Sequence, residues 1–370
     1  MKIAVIGIRG VPATYGGLET CAEEVGVRLA QRGHEVIVYC RKGYYKESTK
    51  EYKGIKRITL PHLRLKITDT YSHSLLAMFH VLTQKPHVIL AFNPGVATLC
   101  VIPKVFRHKV ALNPDGFDWR RKKWGWFARK FIYMSAFVAA KVCDKLIIDA
   151  VSVKDYYQDA FKCDPVYIPN GANIETSENP DILSEYGLEK DGYFLFLSRH
   201  VPENSCEHII EAFEGLDTDK KLVMGGGTGD ESSYAASLRD TKDERIIFPG
   251  PIYDPIHVKE LHCGCYAVIH GNQPGGTSLG LLKAMGLGTC VLTLDTPDNA
   301  YVASSDAAVL YELSSEGLRD KLRYLVDNEE KVREYRRKAV ERIQEEYMWD
   351  KVTDKYEQVF MSLTGERARH

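Results

Sequence analysis

The sequence lacks several features that would define its class directly. No stretch of the 370 residues approaches the roughly 18 consecutive apolar residues that a membrane-spanning helix needs. The formal net charge is only -1, which argues against a general nucleic-acid-binding protein. The segment MKIAVIGIRG has too few apolar residues for a secretory signal peptide. We therefore expect a cytoplasmic protein, or one bound peripherally to the inner face of the plasma membrane.

Several catalytic signatures are also missing. The nine cysteines are odd in number and form no double pair of zinc-site type, so reduced thiols are expected rather than disulfides or a metal site. The glycine-rich segment 225–231 has no Walker lysine, and the glycines near the start are not spaced as G-x-G-x-x-G. No G-x-S-x-G motif of a serine hydrolase occurs. The sequence therefore lacks the signature motifs of P-loop nucleotide-binding proteins, of dinucleotide-binding domains and of serine hydrolases.

What the sequence does contain is an alternation of short apolar runs and helical patterns. Residues 3–6 form an apolar run that ends at Gly7, which is typical of a buried parallel strand. A helical pattern and a second apolar run follow, and the rhythm restarts after residues 167–181. That segment carries two prolines and three asparagines, so we interpret it as an interdomain connection. The pattern predicts α/β architecture with two doubly wound parallel sheets and a cleft between them.

In such sheets ligands bind beyond the carboxyl ends of the strands. Gly16 and Gly17 precede a helix and Arg199 follows a strand, and both arrangements suit phosphate oxygens. Asp115 in NPDG is able to accept a proton or bind a sugar hydroxyl. Each of these features also has a plain structural interpretation, namely a tight turn, a surface ion pair or ordinary Asp-Gly turn chemistry.

A basic and aromatic stretch spans residues 119–134. Its cations attract anionic headgroups and its aromatics anchor at an interface, so it favours a membrane surface or an acceptor. A solvated helix with its aromatics in the core is the alternative. The residues assigned to membrane or acceptor contact are Trp119, Arg120, Arg121, Lys122, Lys123, Trp124 and Trp126.

Taken together, these loops resemble glycosyltransferase family 4, and more narrowly its bacterial rhamnosyltransferase-like branch. The resemblance runs nearly from end to end, and its main blocks are IGIRGVPATYGGLET, NPDGFDWRRKKWG, FLSRHVPEN, GGGTGDESSYA and IHGNQPGGTS. It implies the GT-B fold, in which two Rossmann-like domains face a cleft. The acceptor-side domain would be 1–168 with the helix 350–370 packed back on it, and the nucleotide-sugar-binding domain would be 169–349.

The resemblance also implies an activity, that of a retaining, metal-independent hexosyltransferase without a cofactor. Its donor would be a nucleotide sugar, either dTDP-rhamnose or a UDP- or GDP-sugar. Its acceptor would be a lipid-linked sugar or another glycan in bacterial surface polysaccharide synthesis. No nucleic-acid partner is implied, and the oligomeric state stays open.

The site residues are carried over position by position. Arg199 would stabilise the leaving diphosphate and Asp115 would face the acceptor, and both are assigned to catalysis. The residues assigned to donor binding are Gly16, Gly17, Arg199, Asn204, Gly226, Gly275, Gly276, Thr277, Ser278 and Lys283.

The sequence departs from the family pattern at its expected carboxylates. The glutamate that accepts hydrogen bonds from the donor ribose is replaced by Lys283, which has donors only. The upstream glutamate falls on Gly275, and a common family lysine falls on Asn204. Lys283 therefore meets a donor phosphate, points away, or marks impaired donor binding. The last outcome gives the alternative function, a weak or inactive paralogue that serves as a membrane-associated partner of an active transferase, and a GT-B epimerase is a third option.

Overall fold

The structure is a computed structural model that describes residues 1–14, 16–45, 49–64, 68–121, 124–227, 233–273, 276–304 and 306–365. The chain divides into two compact units. The first runs from Met1 to Asn170 and resumes at Trp349, and the second is Gly171–Met348.

The first unit is built on one sheet. Within the described residues its strands are β1 (Lys2–Ile6), β2 (Glu35–Arg41), β3 (Glu51–Tyr52), β4 (Ile55–Leu60), β5 (Val88–Phe92), β6 (Lys109–Asn113), β7 (Lys145–Ile148) and β8 (Val166–Tyr167). Its helices are α1 (Gly17–Gln31), α2 (Asp69–Gln84), α3 (Val101–Val105), α4 (Trp126–Val142), α5 (Val151–Phe161) and, at the end of the chain, α14 (Trp349–Thr364).

The strand order of this sheet is β3-β4-β2-β1-β5-β6-β7-β8. Every neighbouring pair is parallel except β3 and β4, which are antiparallel. The chain moves outward from β1 in one direction and from β5 in the other, so the order reverses between these two strands. The central strands are apolar and fully buried, as parallel strands covered by helices on both faces must be.

The second unit repeats this plan with a six-stranded sheet. Its described strands are β9 (Tyr193–Leu197), β10 (Lys221–Gly225), β11 (Ile246–Gly250), β12 (Ala267–His270), β13 (Val291–Leu294) and β14 (Val309–Tyr311). Its helices are α6 (Ile182–Glu185), α7 (Cys206–Glu214), α8 (Ser233–Ser237), α9 (Pro255–Gly264), α10 (Leu279–Gly286), α11 (Pro297–Ala303), α12 (Ser315–Asp327) and α13 (Glu329–Arg342). The order is β11-β10-β9-β12-β13-β14, all pairs are parallel, and the reversal lies between β9 and β12.

The C-terminal helix α14 belongs to the first unit. It packs against α1, where the Arg28 guanidinium lies 3.0 Å from the Asp350 carboxylate and that of Arg32 lies 2.7 Å from Glu357. On the buried side of α14, Tyr356 is 1% exposed and its hydroxyl lies 3.5 Å from the Cys21 thiol. The last helix of the chain, α14, thus completes the hydrophobic core of the first unit.

The predicted α/β class with two parallel-sheet domains is confirmed. Within the described part of the chain, no helix combines the length and apolarity that crossing a membrane requires.

Candidate functional site

A cavity of ≈ 200 Å³ lies in the second unit where the sheet order reverses. The carboxyl ends of β9 and β12 form its floor, and α9 and α10 form its sides. It is lined by Phe196, Leu197, Ser198, Val258, His262, Val268, Ile269, His270, Asn272, Ser278, Gly280 and Lys283. Open parallel sheets bind ligands at such a reversal, because the loops that leave the two central strands diverge there.

The end of β12 is fixed to the start of α10 by a histidine. His270 Nδ1 lies 2.9 Å from the Thr293 hydroxyl, and Nε2 lies 2.8 Å from the Ser278 hydroxyl. Ser278 in turn is the N-cap of α10 and accepts from the Leu281 amide at 3.4 Å. Burial lowers the pKa of His270 to about 4, so this ring is neutral at physiological pH and serves as a fixed hydrogen-bonding group.

A second histidine enters the cavity from α9. His262 Nδ1 lies 2.7 Å from the Val258 carbonyl, which only accepts hydrogen bonds, so Nδ1 carries the proton. Burial lowers the pKa of His262 to about 4, and the nearby Lys283 ammonium lowers it as well. The neutral ring therefore keeps Nε2 as an acceptor.

Lys283 supplies the charge of this cavity. It is the one cation among the described residues that line it. Burial lowers the pKa of Lys283, while the Glu175 carboxylate acts in the opposite direction. The residue is exposed to solvent, and its position in α10 places it in the lining of the cavity.

The loop after β9 is shaped by Asn204 and Gly226. Asn204 is 4% exposed, and its Nδ2 donates to the Ser198 hydroxyl at 2.9 Å and to the Arg199 carbonyl at 2.7 Å. Gly226 has φ +115°, and a Cβ there would lie 2.0 Å from the Ser198 carbonyl oxygen. Both residues therefore position the loop, whereas sequence analysis assigned them to donor contact.

Arg199 itself is exposed at the end of β9. Its carbonyl is held by Asn204, but within the described residues its guanidinium has no hydrogen bond or ion pair. It is the second cation of this edge of the sheet, next along the chain to Ser198 of the cavity.

The glycine turn before α10 is described only in part, because Gly275 lies outside the described residues. Gly276 has φ +125°, a conformation that side chains rarely adopt, so glycine is required there. Thr277 is 6% exposed, so its side chain is buried in the interior and is not exposed at the edge of the turn.

In the first unit, Gly16 and Gly17 begin α1 with an acidic group beside them. Gly16 has φ +108°, and a Cβ there would lie 2.4 Å from Glu19 Oε2. The other carboxylate oxygen of Glu19 accepts from the Arg9 amide at 3.1 Å. The Glu19 carboxylate therefore lies beside the turn that begins this helix, and the assignment of Gly16 and Gly17 to a donor phosphate stays a prediction. Tyr15 of the same turn lies outside the described residues.

Asp115 follows β6 in a strained turn. It has φ +63°, and its amide donates to Asn113 Oδ1 at 2.9 Å. Aspartate is among the residues that tolerate this conformation. The residue is half-buried at the carboxyl edge of the first sheet, so its structural role as a turn residue is evident.

The basic aromatic stretch is only partly a surface. Trp119 is 8% exposed and lies in the core, with its ring 5.6 Å from Phe117 and 5.7 Å from Tyr133. Its assignment to membrane contact is therefore wrong, because its apolar area is already covered by aromatic neighbours. Trp124 also packs against this core and is half-buried.

The cations of this stretch differ in their environments. The Arg120 guanidinium lies 4.1 Å from the centre of the Phe117 ring, and Arg121 lies 3.0 Å from the Asp118 carboxylate. Lys122 and Lys123 lie outside the described residues.

The exposed aromatics lie further along, on α4. Trp126 is 65% exposed, Phe127 is 82% exposed and Phe131 is 46% exposed. The ring of Phe131 lies 6.1 Å from that of Tyr71 on α2, so the apolar surface continues onto a second helix. Sequence analysis assigned only Trp126 of this group. The spacing of 127 and 131 on one helical face was the available signal.

Sequence analysis also missed His262 and His270. For His270 the signal was a polar residue that ends an apolar strand, at the edge where ligands bind. For His262 no sequence signal exists, because its proximity to Lys283 follows from the packing of α9 beside α10.

Comparisons with known proteins agree with this division. Residues 179–342 match the family described as Glycosyl transferases group 1. Residues 1–173 match the family described as Domain of unknown function (DUF1972). No sequence among the curated proteins matches this chain significantly.

Solved structures resemble the whole chain in fold. Sucrose-phosphate synthase from Thermosynechococcus elongatus is 16% identical, with a TM-score of 0.83 over 98% of this chain and 99% of its own. HepE from Anabaena, solved with UDP and glucose, is 14% identical, with a TM-score of 0.80 over 98% of this chain and 100% of its own. WaaG, a glycosyltransferase of lipopolysaccharide biosynthesis, is 18% identical, with a TM-score of 0.71 over 98% of this chain and 100% of its own. These likenesses show the fold of GT-B glycosyltransferases.

Proposed function

Because residues 179–342 form a glycosyl transferases group 1 domain, we propose that the chain transfers a sugar from a nucleotide diphosphate donor to a lipid-linked or glycan acceptor. The observation that carries the proposal is the polar cavity at the reversal between β9 and β12, inside that domain. HepE, a protein of the same fold, was solved with UDP-glucose. The finer assignments, which are retention, metal independence and rhamnose as the sugar, rest on the sequence resemblance.

The size and polarity of the cavity suit the nucleoside end of a donor. Its ≈ 200 Å³ is below the roughly 300–1,000 Å³ of a site that holds a complete small molecule, so only part of the donor enters. Neutral His262 offers an acceptor nitrogen, and Asn272 and Ser198 offer further polar groups. Lys283 adds a cation where the resembled family has a carboxylate, so it donates to hydroxyl or phosphate oxygens instead of accepting from the ribose.

Arg199 is assigned to the leaving group. Cleavage of the bond between sugar and diphosphate places additional negative charge on the outer phosphate. A fixed guanidinium binds that charge better in the transition state than in the ground state, which is the condition for catalysis. The exposed guanidinium of Arg199 suits this role, and the Asn204 bond to the Arg199 carbonyl fixes the backbone from which the side chain extends.

The first unit is assigned to the acceptor, with Asp115 at its sheet edge. The exposed aromatic surface of α4 and Tyr71 is assigned to contact with the cytosolic face of the membrane. Lys130 lies beside it, with its ammonium 5.2 Å from the Trp126 ring. Exposed aromatics next to a cation suit the membrane interface, where apolar acyl chains meet anionic headgroups.

Turnover tests the proposal. The protein is incubated with dTDP-rhamnose, UDP-hexoses or GDP-hexoses and a lipid-linked acceptor, and the glycan is measured by mass spectrometry. We expect one donor to lengthen the glycan. Arg199→Ala is expected to lower kcat by about 100-fold or more, since this is the usual effect of losing one charge-stabilising donor. Arg333→Ala, at an arginine 77% exposed on α13, is the matched control.

Two results would reject catalysis. Absence of turnover with all three donor classes, combined with intact nucleotide binding, would support the alternative role as a partner of an active transferase. Appearance of an epimer when the nucleotide sugar is incubated alone and followed by NMR would support the epimerase.

A further inference from the structure

A second cavity, of ≈ 470 Å³, lies in the first unit and is not explained by the donor site. It lies at the carboxyl edge of the sheet, where β1, β2 and β4 are neighbours. The loops after these strands supply its main side chains, Arg9, Lys42, Tyr44, His62 and Arg64, and Asp69 of α2 closes it. We refer to it as the basic cavity.

The charge of the basic cavity is strongly positive. Arg9, Lys42 and Arg64 bring three cations to it. Among the described lining residues the one carboxylate, Asp69, is already paired, because the guanidinium of Arg41 lies 2.8 Å away. Arg41 is only 4% exposed, so this pair is a fixed part of the wall, and cations outnumber carboxylates among the described lining residues.

One of the three cations, Arg9, is held in place by an aromatic ring that also contacts Arg41 of the wall. The guanidinium carbons of Arg9 and Arg41 lie 5.5 Å and 5.9 Å from the centre of the Tyr44 ring, and the Tyr44 hydroxyl donates to Asp69 at 3.3 Å. Charged side chains that are merely solvated have no such support. Because these groups are already ordered, binding an anion costs less conformational entropy.

His62 contributes a buried ring nitrogen to the basic cavity. Its Nδ1 is buried and has no hydrogen-bond partner among the described residues, an uncommon situation for a ring nitrogen. Burial lowers the pKa of His62, and Arg41 and Arg64 lower it further. The surrounding field is therefore one that attracts an anion.

The basic cavity and the exposed apolar surface share one helix, α2. Asp69, its first residue, lines the cavity, and Tyr71 meets Phe131 of α4. Leu63, between His62 and Arg64 in the chain, is 59% exposed. An anion in the cavity would thus be bound at the start of the helix that carries part of the apolar surface.

We propose that the basic cavity binds the diphosphate group of a lipid-linked acceptor, with Arg9, Lys42 and Arg64 as its ligands. The several negative charges of a diphosphate match the three cations, and the lipid would lie along the exposed apolar surface. The inference rests on the proposed function, since it assigns the class of acceptor.

NMR of the His62 ring provides a local readout, assigned with His62→Gln. Inorganic pyrophosphate is titrated into the full chain at constant pH and ionic strength, and we expect the His62 signals to shift and saturate. In the double variant Lys42→Ala/Arg64→Ala the apparent Kd should rise tenfold or more, because two charge-assisted contacts are lost. Lys56→Ala, at an exposed lysine of β4, should leave the Kd unchanged.

The wild-type titration alone is decisive if the double variant fails to fold. His62 signals that do not respond to pyrophosphate, or equal Kd values in wild type and a folded double variant, would overturn the inference. Dihexanoyl phosphatidylglycerol is the comparison ligand, and binding as tight as that of pyrophosphate would assign the site to a lipid headgroup instead.

The outcome for the site is separable from that for the function. A His62 response without any sugar transfer would reject the transferase and leave an anion site. Sugar transfer with a silent His62, and with an unchanged acceptor KM in Lys42→Ala/Arg64→Ala, would reject this site and leave the transferase.

Discussion

At the scale of single residues, Lys283 is where this chain departs most from the family it resembles. Its ammonium lies in a cavity whose histidines are both neutral, so no neighbouring cation opposes it there. Glu175 is the carboxylate that acts on it. A lysine in this setting is a usable hydrogen-bond donor, and its presence does not by itself indicate a degenerate site.

Substitution of Lys283 distinguishes use from degeneracy. Lys283→Met should weaken binding of UDP, dTDP or GDP by about 10- to 100-fold, since a charge-assisted hydrogen bond contributes roughly 1.5–3 kcal/mol. Lys283→Glu should weaken it more, because a second carboxylate would join Glu175. Calorimetric titration measures both, and Lys321→Met, at an exposed lysine of α12, is the control. Tighter binding by Lys283→Glu would indicate that the natural site is impaired.

At the scale of elements, α4 combines two functions in one amphipathic helix. Ile132, Ala136 and Ala139 are buried on its inner side, while Phe127 and Phe131 are exposed on the other. Exposed aromatics contribute little to the core, and contiguous exposed apolar side chains are typical of interaction sites. The proposed membrane contact rests on the continuity of this surface from α4 to Tyr71 of α2.

Vesicle binding tests this surface. The double variant Trp126→Ser/Phe127→Ser should lower co-sedimentation with phosphatidylglycerol vesicles by tenfold or more, since burying each such side chain contributes about 1.5–3 kcal/mol. Circular dichroism should be unchanged, because both side chains lie outside the core. Tyr253→Ser removes an equally exposed aromatic (78% exposed) from the second unit and should have no effect. Equal binding by the two variants would exclude α4 from the membrane contact.

The elements that the sequence revealed are those with strong local signals. The central strands β1, β5 and β9 are apolar runs bounded by glycine, charge or proline, and their burial makes the run continuous. The strand β4 was missed because two consecutive basic residues, Lys56 and Arg57, interrupt its apolar residues, and it lies near the edge of its sheet. β14 was missed because it has only three residues.

The geometry of the site was harder to predict from the sequence than the strands were. Trp119 was read as a surface residue because it adjoins four basic residues, and only the fold shows that it points into the core. The basic cavity joins loops after three strands, so its members are scattered between residues 9 and 69. Distance along the chain conceals such clusters, whereas a motif such as the turn before α10 is local and was found.

At the scale of the whole molecule, the two units have similar sheet topologies, but tryptophans and buried histidines are distributed differently between them. All four tryptophans belong to the first unit. That unit also holds a fully buried histidine, His73, whereas His262 and His270 belong to the second. Tryptophan fluorescence therefore follows unfolding of the unit that contains His73.

This arrangement predicts an acid-sensitive first unit. Burial, aided by Arg41, lowers the pKa of His73 to about 4, whereas an unfolded histidine titrates near about 6.5. Between these values the unfolded state binds a proton that the folded state does not. The contribution of His73 to the free energy of unfolding should therefore have its full value above about pH 6.5. It should fall by roughly 1.4 kcal/mol per pH unit as the pH is lowered from there to about 4.

Urea unfolding followed by tryptophan fluorescence at several pH values measures this slope. Carboxylates add their own pH dependence, so the informative quantity is the difference between wild type and His73→Gln. The variant should lose roughly 1.4 kcal/mol per pH unit of the slope between pH about 4 and about 6.5, whatever its stability at neutral pH. Parallel curves for wild type and His73→Gln would mean that the folded state admits a proton at His73, and that burial does not hold this ring neutral.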